Sequence, residues 1–508
     1  MPARVMLLGM DGCEPDLLLR WSEDGSLPNL RSLRERGTVC RLSGPPGCGD
    51  DGAWATAYTG VWPATHGRFY YRHMRPGTYA LPQFGDSDLR HEPIWSTLGR
   101  CGKRVAVLDV PKSPPPATLN GLYLGDWLVH GRDHAEPVSY PPGFSAEVVA
   151  EFGEAPESLC HFTQPSLDAA GYAAMLARLE TSAAMKRDLC LSVLGREDWD
   201  LFFAVFKEGH CAGHHGWHLH DHDHPAHAPD IAENTGDPLL AIYRAVDRAL
   251  GEVIAGAAPD TTIMVFSALG MGPNYGMATL LPAILNRLDP TPRRLTIAAR
   301  NFFKPLGSWL YATTRGRLRE LVADAAGAVG ARYRKGQRSF AIEPNENVSG
   351  IRLNLVGREV RGEIRPGPEA EAYCRQLTDD LLDIVDPETG EPLIEAVVPS
   401  ADCYEGNLLD HLPDLLVFWN LSRPFSTAAS PKIGRLHMNG PVRRTGSHMP
   451  GGLLFAAGPG IRSRDHLAPR PLVDLAATVG ALLDVELEGC EGSPIFGQAA
   501  DLPASRPA

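Results

Sequence analysis

The sequence lacks any apolar segment long enough to cross a membrane, since no uninterrupted hydrophobic run reaches the about 18 residues that a transmembrane helix requires. It also does not begin like a secreted protein. The apolar segment at 5–9 follows the N-terminus at once and is shorter than the apolar core of a signal peptide. We therefore expect a soluble, cytoplasmic protein with no membrane partner.

Positive charge is also in short supply. The chain has 48 Lys and Arg residues against 61 Asp and Glu residues, which gives a formal net charge of −13. Proteins that bind nucleic acid present clustered basic residues to the phosphates, and the sequence contains no such basic cluster. This balance predicts that nucleic acid is not a partner.

Several familiar motifs are missing. The ten cysteines are scattered and form no C-x-x-C pair, so we expect reduced thiols rather than a disulfide framework. No G-x-G-x-x-G segment or P-loop follows a predicted strand. A dinucleotide cofactor and nucleoside triphosphatase activity are therefore not indicated.

What the chain does contain is an alternation of short apolar strands and helices. The strands are short and nearly continuous in apolar residues, which is typical of strands buried on both faces of a parallel sheet. The alternation predicts an α/β fold with a mostly parallel central sheet flanked by helices. The predicted strands are Val5–Gly9, Val105–Val110, Leu201–Phe206, Thr262–Ser267, Leu415–Trp419 and Leu453–Ala457, and the predicted helices include Leu27–Arg36, Tyr172–Val193 and Pro238–Ala255.

The composition changes between about residues 300 and 400. A segment rich in Ala, Arg and Leu at 317–334 predicts a helix, and a polar stretch punctuated by glycine follows it. We interpret 300–400 as a cap subdomain inserted into a main α/β domain that comprises 1–299 and 401–500. Residues 501–508 are expected to form a flexible tail.

Histidine is concentrated in one place, with eight of the 18 histidines between His210 and His227. His210 and His214 directly follow a predicted strand, and their spacing places both rings on one side of a helical turn, as a metal ion requires. From His218 the histidines alternate with Leu219, Asp221 and Asp223, and we interpret the tract to His227 as a solvated loop that binds metal at most loosely.

Other polar residues stand where predicted strands end, and the segments around them form an ordered series of motifs. Asp11 ends the first strand, Asp50 and Asp51 open a helix, and His448 precedes the last strand of the series. In open α/β sheets ligands bind at such strand ends. The motifs, in order, are G-M-D-G, L-P-N-L-R-S-L-R-E-R-G, T-G-V-W-P-A-T-H-G, S-A-L-G-M-G-P, P-D-L-L-V-F-W and G-S-H-M-P-G-G-L-L-F-A-A-G-P-G-I.

Through these motifs, residues 4–465 resemble the alkaline phosphatase superfamily, within it the type I phosphodiesterase and nucleotide pyrophosphatase-like branch. The resemblance implies a two-metal site, usually zinc, above a parallel sheet, with a Thr or Ser nucleophile at a helix N-terminus. Carried over residue by residue, it implies that Asp11, His214 and His448 are metal ligands.

The chain departs from this family pattern at important positions. Asp50 stands where the family has the Thr or Ser nucleophile, and His210 stands where the pattern has Asp. Ala268 and Leu269 replace the Asp and His of S-D-H-G that would hold the second metal ion. Neither replacement can bind a cation, so we expect a single metal ion.

The expected metal centre comprises His210, His214, His448 and Asp11, with an acidic side chain of the Asp50-Asp51 pair in reach. Such donors suit Zn²⁺ first, with Fe²⁺ or Mn²⁺ as alternatives. Asp50 is interpreted as a metal ligand, a general base or a nucleophile, in that order. Asp51 is a catalytic candidate too, unless it only caps the helix.

Weaker candidates have equally simple structural explanations. Arg352, Asn354 and Arg358 could bind an anionic substrate, or they could be the polar face of an ordinary strand. Glu208 is either an acceptor for the ring N–H of a metal-bound histidine or a solvated carboxylate. His66 is either structural or an outer residue of the site.

We therefore expect a metal-dependent hydrolase that cleaves a phosphodiester or related ester of a small, anionic substrate by means of metal-activated water. Two alternatives stay open. One is a metalloenzyme on the same fold with chemistry other than phosphoryl transfer, and the other is a catalytically inactive relative that serves as a binding or scaffold protein.

Overall fold

A computed structural model describes residues 3–75, 77–129, 133–134, 136–156, 167–289, 334, 336–342, 347–438 and 444–496. The chain forms two compact units. The main unit comprises Met1–His66, Leu89–Asn274 and Val442–Ala508, and the second unit comprises Gly67–Asp88 and Tyr275–Pro441. Most of the helix predicted at 317–334 and all of the predicted tail at 501–508 lie outside the described residues.

These bounds differ from the predicted division at residues 300 and 400. The second unit begins earlier, at Tyr275, ends later, at Pro441, and includes Gly67–Asp88 from much earlier in the chain. The reason is packing, because Tyr275, Met277 and Ile433 belong to one hydrophobic core with residues from the predicted insertion. Changes in composition along the chain do not mark such contacts.

The main unit is built on a nine-stranded sheet in the order β17-β2-β16-β7-β1-β6-β3-β4-β5. Most neighbouring strands are parallel, while β16 and β5 run antiparallel to their neighbours. A separate two-stranded antiparallel sheet pairs β8 with β15, which are distant in sequence. The strands of this unit are β1 (Arg4–Met10), β2 (Thr38–Ser43), β3 (Val105–Leu108), β4 (Gly121–Gly125), β5 (Val138–Tyr140), β6 (Leu201–Phe206), β7 (Thr261–Ser267), β8 (Gly270–Pro273), β15 (Gly446–Met449), β16 (Gly452–Ala457) and β17 (Arg464–Pro471).

Alternate residues of the central strands enter two different cores. In β1, Met6 and Leu8 pack on one face of the sheet, while Val5 and Leu7 pack on the other. Because both faces are covered by helices, the strands are apolar throughout. The helices are α1 (Pro15–Glu23), α2 (Pro28–Arg36), α3 (Asp50–Thr59), α4 (Pro63–His66), α5 (Ile94–Arg100), α6 (Phe144–Phe152), α7 (Ala169–Leu194), α8 (Glu208–His220), α9 (Pro229–Thr235), α10 (Pro238–Ala255) and α14 (Asp474–Leu482). The predicted α/β fold class is confirmed.

The second unit has its own four-stranded antiparallel sheet in the order β11-β12-β10-β9 and a hairpin of β13 and β14. Its core surrounds Ile351, Leu377 and Val417. Its elements are β9 (Ser339–Ala341), β10 (Val348–Leu353), β11 (Ile394–Pro399), β12 (Leu415–Trp419), β13 (Thr427–Ser430), β14 (Gly434–His437), α11 (Leu281–Leu288), α12 (Pro368–Leu382), α13 (Ser400–Cys403) and 3-10 turns at Asp86–Asp88, Met277–Leu280 and Leu409–His411.

The loop predicted from His218 is partly wrong, because α8 continues to His220. The ring of His218 contacts the hydroxyl of Thr445 at 2.9 Å, and Nδ1 of His220 lies 2.7 Å from the carboxylate of Asp237. These contacts draw the polar end of the helix into the fold, so His218 and His220 are not simply solvated.

In the described part of the chain, no helix combines the length and apolarity needed to span a bilayer. The cysteines of that part are all free thiols.

Candidate metal centre

Three imidazole rings from two distant segments converge in the main unit. His210 and His214 lie one turn apart on α8, and His448 lies on β15. Nε2 of His210 is 3.1 Å from Nε2 of His214 and 3.3 Å from Nε2 of His448. All three rings are buried, with exposures of 0%, 0% and 5%. The sequence predicted these three residues as a group, and the structure brings them together.

The spacing of the nitrogens suits a metal ion. Zinc–nitrogen bonds of about 2.0 to 2.1 Å in tetrahedral geometry place neighbouring ligand nitrogens about 3.3 to 3.4 Å apart. The two measured separations are close to that edge length. The ligand atoms of His210, His214 and His448 all lie within 4.8 Å of one another. Among the described residues, no other group of three or more His, Cys, Asp or Glu side chains meets this condition. The residues present therefore fit a divalent transition metal.

The other ring nitrogen of two of these histidines is held by a neighbour. Nδ1 of His210 lies 2.8 Å from Oδ2 of Asp11, whose Oδ1 accepts a hydrogen bond from the indole N–H of Trp54 at 2.8 Å. Nδ1 of His214 lies 2.8 Å from the backbone oxygen of Gly446. Such contacts orient Nε2 toward a metal ion.

The position of Asp11 differs from the one expected of a metal ligand. Its carboxylate lies behind the ring of His210 and is not part of the group of converging ligand atoms. In this position it orients His210.

The backbone brings the two segments together by close approach. α8 starts two residues after β6 ends, so His210 lies at the carboxyl edge of the sheet. A Cβ on Gly446 would lie 2.2 Å from the backbone oxygen of Gly213, which is far inside contact distance. The absence of a side chain at Gly446 thus allows β15 to lie directly against α8 and carry His448 to the other rings.

Burial and charge set the protonation of the rings. Burial lowers the pKa of His214 well below its usual value, and the positive charge of Arg444 lowers it further. Burial also lowers the pKa of His210, but the charge and hydrogen bond of Asp11, together with the charge of Asp50, raise the pKa more, so the net change is upward. His214 is therefore neutral at physiological pH, as a metal ligand must be.

Asp50 is the first residue of α3, and its Oδ1 lies 3.9 Å from Nδ1 of His448. Burial raises its pKa, but the charges of His448 and Lys112 lower it more, so the net change is downward. Asp50 is therefore an ionised carboxylate at neutral pH. It is not part of the group of converging ligand atoms.

Asp51 is also buried in the first turn of α3. The N-cap of this helix is Gly49, and no side chain caps it with a hydrogen bond. Asp51 itself therefore does not occupy the N-cap position. Two buried carboxylates occupy a helix N-terminus that would otherwise favour a bound anion.

Ala268 and Leu269 directly follow β7 and are buried, with exposures of 0% and 2%. Their side chains offer no donor to an ion. The segment instead belongs to the hydrophobic core on the face of the sheet that includes Phe266 and Leu454.

Glu208 and His66, the two outer candidates, contact hydroxyl groups. Glu208 accepts a hydrogen bond from Ser182 at 2.6 Å rather than from a histidine of the centre, and burial raises its pKa. Nε2 of His66 lies 3.1 Å from the hydroxyl of Thr56. These contacts favour structural roles for both residues.

The candidate substrate-binding residues belong to the second unit, where they contact their own neighbours. Arg352 donates to Glu359 at 2.8 Å, and Arg358 donates to both carboxylate oxygens of Asp414 at 2.8 and 2.7 Å. Asn354 accepts from the hydroxyl of Tyr79 at 2.6 Å. This network favours the structural explanation.

Two cationic residues near the histidines were missed by the sequence analysis. Nη1 of Arg444 lies 3.5 Å from Nε2 of His214, and Lys112 is close enough for its charge to lower the pKa of Asp50. The adjacent arginines at 443–444, just before G-S-H, were the available signal for the first. No local pattern in the sequence marked Lys112 as a site residue. Its approach to Asp50 is visible only in the structure, where the backbone of Lys112 adopts a positive φ of +60°.

Residues 5–414 match the sequence model of the type I phosphodiesterase / nucleotide pyrophosphatase family. Phosphonoacetate hydrolase from Sinorhizobium meliloti 1021, solved in complex with phosphonoacetate, has a similar fold, with a TM-score of 0.52 at 15% sequence identity over 95% of this chain and 96% of that chain. Murine ectonucleotide pyrophosphatase / phosphodiesterase 5 gives a TM-score of 0.47 at 13% identity over 96% and 97% of the two chains. No curated protein matches the sequence.

Proposed function

Because the chain belongs to the type I phosphodiesterase / nucleotide pyrophosphatase family, we propose that it is a metal-dependent hydrolase of phosphodiesters or related esters. The site of the reaction is the group formed by His210, His214 and His448. The substrate is a small anionic molecule. The location of the protein in the cytoplasm stays a prediction.

The observation that carries this proposal is the convergence of three buried Nε2 atoms at separations that suit one divalent cation. Three histidines with a further open position are characteristic of catalytic rather than structural zinc sites. When bound, the ion would act as a Lewis acid toward a phosphoryl oxygen and a water molecule. We propose Zn²⁺ as the first choice, with Fe²⁺ and Mn²⁺ as alternatives.

A single ion is supported by what surrounds the three rings. Ala268 and Leu269 occupy the positions at which the family pattern S-D-H-G has its second pair of metal ligands, and both are buried apolar residues. Arg444 and Lys112 supply positive charge nearby without a metal ion.

Asp50 is the candidate for the reacting carboxylate. An ionised carboxylate can accept a proton or attack phosphorus but has no proton to donate, so we propose a general base or a nucleophile rather than a general acid. At 3.9 Å from Nδ1 of His448 the carboxylate attracts that ring by charge without a hydrogen bond. A direct bond to the ion receives less support from the geometry than the sequence suggested.

The test begins with the metal content of the purified protein. We expect about one equivalent of transition metal in the wild type and its loss in His214→Ala. Hydrolysis of bis(p-nitrophenyl) phosphate, p-nitrophenyl phosphate and p-nitrophenyl sulfate would then identify the ester class. His222→Ala is the matched control, because His222 is an exposed histidine of the same tract and should leave both readouts unchanged.

Asp50→Asn separates metal binding from chemistry. It preserves the shape of the side chain and removes its charge, so we expect retained metal and strongly reduced hydrolysis. Full activity of Asp50→Asn would eliminate Asp50 as base and nucleophile. A wild-type protein that binds no metal would contradict the proposal as a whole, whereas bound metal without hydrolysis of any of the three esters would favour chemistry other than phosphoryl transfer.

A further inference from the structure

The strand pair that carries His448 is attached to the main sheet by one carboxylate. His448 lies on β15, and its partner across the antiparallel pair with β8 is Met271. The backbone N–H of Met271 donates to Oε2 of Glu14 at 3.0 Å. Glu14 lies between β1 and α1 and is the N-cap residue of α1. Its side chain therefore connects the carboxyl end of the central strand β1 to the strand that supports His448.

Met271 contacts both segments that supply the predicted metal ligands. Its backbone pairs with His448, and its side chain is fully buried against α8 at Gly213. A Cβ on Gly213 would lie 2.7 Å from Cγ of Met271, so the packing at this point is close. Gly213 directly precedes His214 in the chain. A shift of Met271 would therefore move His448 relative to the two rings on α8.

Glu14 is fixed in place by several neighbours. Its backbone N–H donates to the hydroxyl of Tyr243 on α10 at 2.8 Å, and its Oε1 accepts the N–H of Asp16 at 3.4 Å. A Cβ on Gly270, the first residue of β8, would lie far inside contact distance of Oε2 of Glu14. The absence of a side chain at Gly270 thus leaves room for the carboxylate to reach the backbone of Met271.

The charge of Glu14 changes with pH near neutrality. Burial raises the pKa of its carboxyl to about 7, and the hydrogen bond from Met271 acts in the opposite direction. The titratable groups that face this carboxyl are Asp16 on α1, Arg41 on β2, Cys13, and Tyr243 on α10. The charge of Asp16 raises the pKa of Glu14 and the charge of Arg41 lowers it, while burial keeps the thiol and the phenol neutral. Because the N–H of Met271 favours the ionised carboxyl, ionisation must in turn strengthen the contact with Met271.

We propose that Glu14 is a positioning residue of the metal centre, which fixes His448 relative to α8 through Met271 and does so most firmly as a carboxylate. The inference rests on the proposed function in that the three rings bind a divalent cation. It adds that the affinity for this cation rises with pH through the ionisation of a residue that does not touch the ion.

The experiment measures zinc affinity at pH 6 and pH 8 by competition with a chromophoric chelator. Glu14→Gln keeps a neutral oxygen as acceptor, as the protonated carboxyl does. It should match the wild type at pH 6 and bind zinc about threefold to tenfold more weakly at pH 8, because a charged acceptor holds an N–H more strongly than a neutral one. Glu14→Ala removes the acceptor and should bind zinc more weakly than the wild type at both pH values. Glu35→Gln makes the same chemical change at an exposed residue and should follow the wild type throughout.

Equal zinc affinities of Glu14→Gln and the wild type at pH 8 would overturn the inference. A loss of affinity in Glu14→Gln by the same factor at both pH values would overturn it too, since the side chain would then have a structural role that does not depend on its charge. If Glu14→Ala does not fold, Glu14→Gln decides alone. The expected zinc affinities in a protein that hydrolyses no phosphoester would uphold this inference while the proposed reaction fails, and a wild type that binds no zinc would contradict both.

Discussion

At the scale of single residues, Asp11 shows how one carboxylate can act on the metal centre without entering it. Its two oxygens contact Nδ1 of His210 and the indole N–H of Trp54, so the carboxylate holds the ring in one orientation. Loss of such an outer contact typically weakens metal binding by about 10- to 100-fold. We expect Asp11→Ala to lower zinc affinity by this factor while zinc still binds, as measured by competition with a chromophoric chelator. Complete loss of zinc would show instead that Asp11 is a direct ligand.

His73, in the second unit, predicts a pH dependence of stability. Its Nε2 accepts a hydrogen bond from the N–H of Phe69 at 3.0 Å, and burial, with the charge of Arg68 second, lowers the pKa of His73 to about 3. The unfolded chain takes up the proton below about 6.5, whereas the folded state resists it down to about 3. The second unit should therefore lose stability as the pH falls through this window.

We expect His73→Gln to remove this contribution. At pH 5 the wild type should have lost at most about 2 kcal/mol of unfolding free energy through His73. The loss is smaller to the extent that solvent screens the partly exposed ring. Thermal unfolding followed at pH 7.5, 6 and 5 should thus show a shallower fall in Tm for His73→Gln than for the wild type. Parallel curves for the two proteins would contradict this assignment.

At the scale of elements, the contact between β15 and α8 decides whether the centre can form. A methyl group at position 446 would lie 2.2 Å from the backbone oxygen of Gly213, and neither backbone can move without disturbing the contacts of Thr445 and His214. We expect Gly446→Ala to lower stability by about 1 to 3 kcal/mol, as overpacking does, and to weaken zinc binding at the same time. Both can be measured by zinc-dependent thermal unfolding.

Gly195→Ala is the control for that substitution. Gly195 follows α7 with a φ of −76°, and an added Cβ would meet its nearest atoms at an ordinary 3.6 Å. It should therefore leave zinc affinity unchanged. Equal effects of the two substitutions would mean that Gly446 has no special place in the centre.

The elements that the sequence predicted well are those with strong local signals. Leu201–Phe206 and Leu415–Trp419 are strands with the predicted ends, and α10 begins at Pro238 and ends at Ala255 as predicted. Local periodicity also placed His210 and His214 on one helical face. The end of α8 was missed because it depends on contacts with Thr445 and Asp237, which are distant in sequence or belong to another helix.

The same distinction explains the site. Residue type, spacing and position at a strand end were sufficient to predict the rings of His210 and His214, whereas His448 was added by the family resemblance. Whether a carboxylate bonds the ion or the ring behind it depends on shifts of a few ångströms, so sequence alone could not distinguish these two roles for Asp11. Arg444 reaches the centre only because β15 lies against α8, and no local pattern encodes that contact.

At the scale of the whole molecule, the metal centre joins segments that are far apart in the chain. His210 and His448 are separated by 238 positions, so an ion that binds both closes a very long loop in the main unit. Among the described residues, the side chains that could hold an ion are the three rings of the main unit, and no such group lies in the second unit. The metal ion should therefore stabilise the two units unequally, and a single unfolding transition is not expected.

We expect calorimetric unfolding to show this inequality. At free zinc about 1,000 times above its Kd, the folded main unit gains about 4 kcal/mol, and removal of zinc by a chelator abolishes the gain. The transition that shifts should be the one that His214→Ala lowers and makes insensitive to zinc, while the transition that responds to His73→Gln should stay in place. An equal shift of both transitions would mean that the two units unfold together, and a shift that persists in His214→Ala would mean that zinc binds elsewhere. Either outcome would contradict the prediction that zinc, bound by the three rings, stabilises only the main unit.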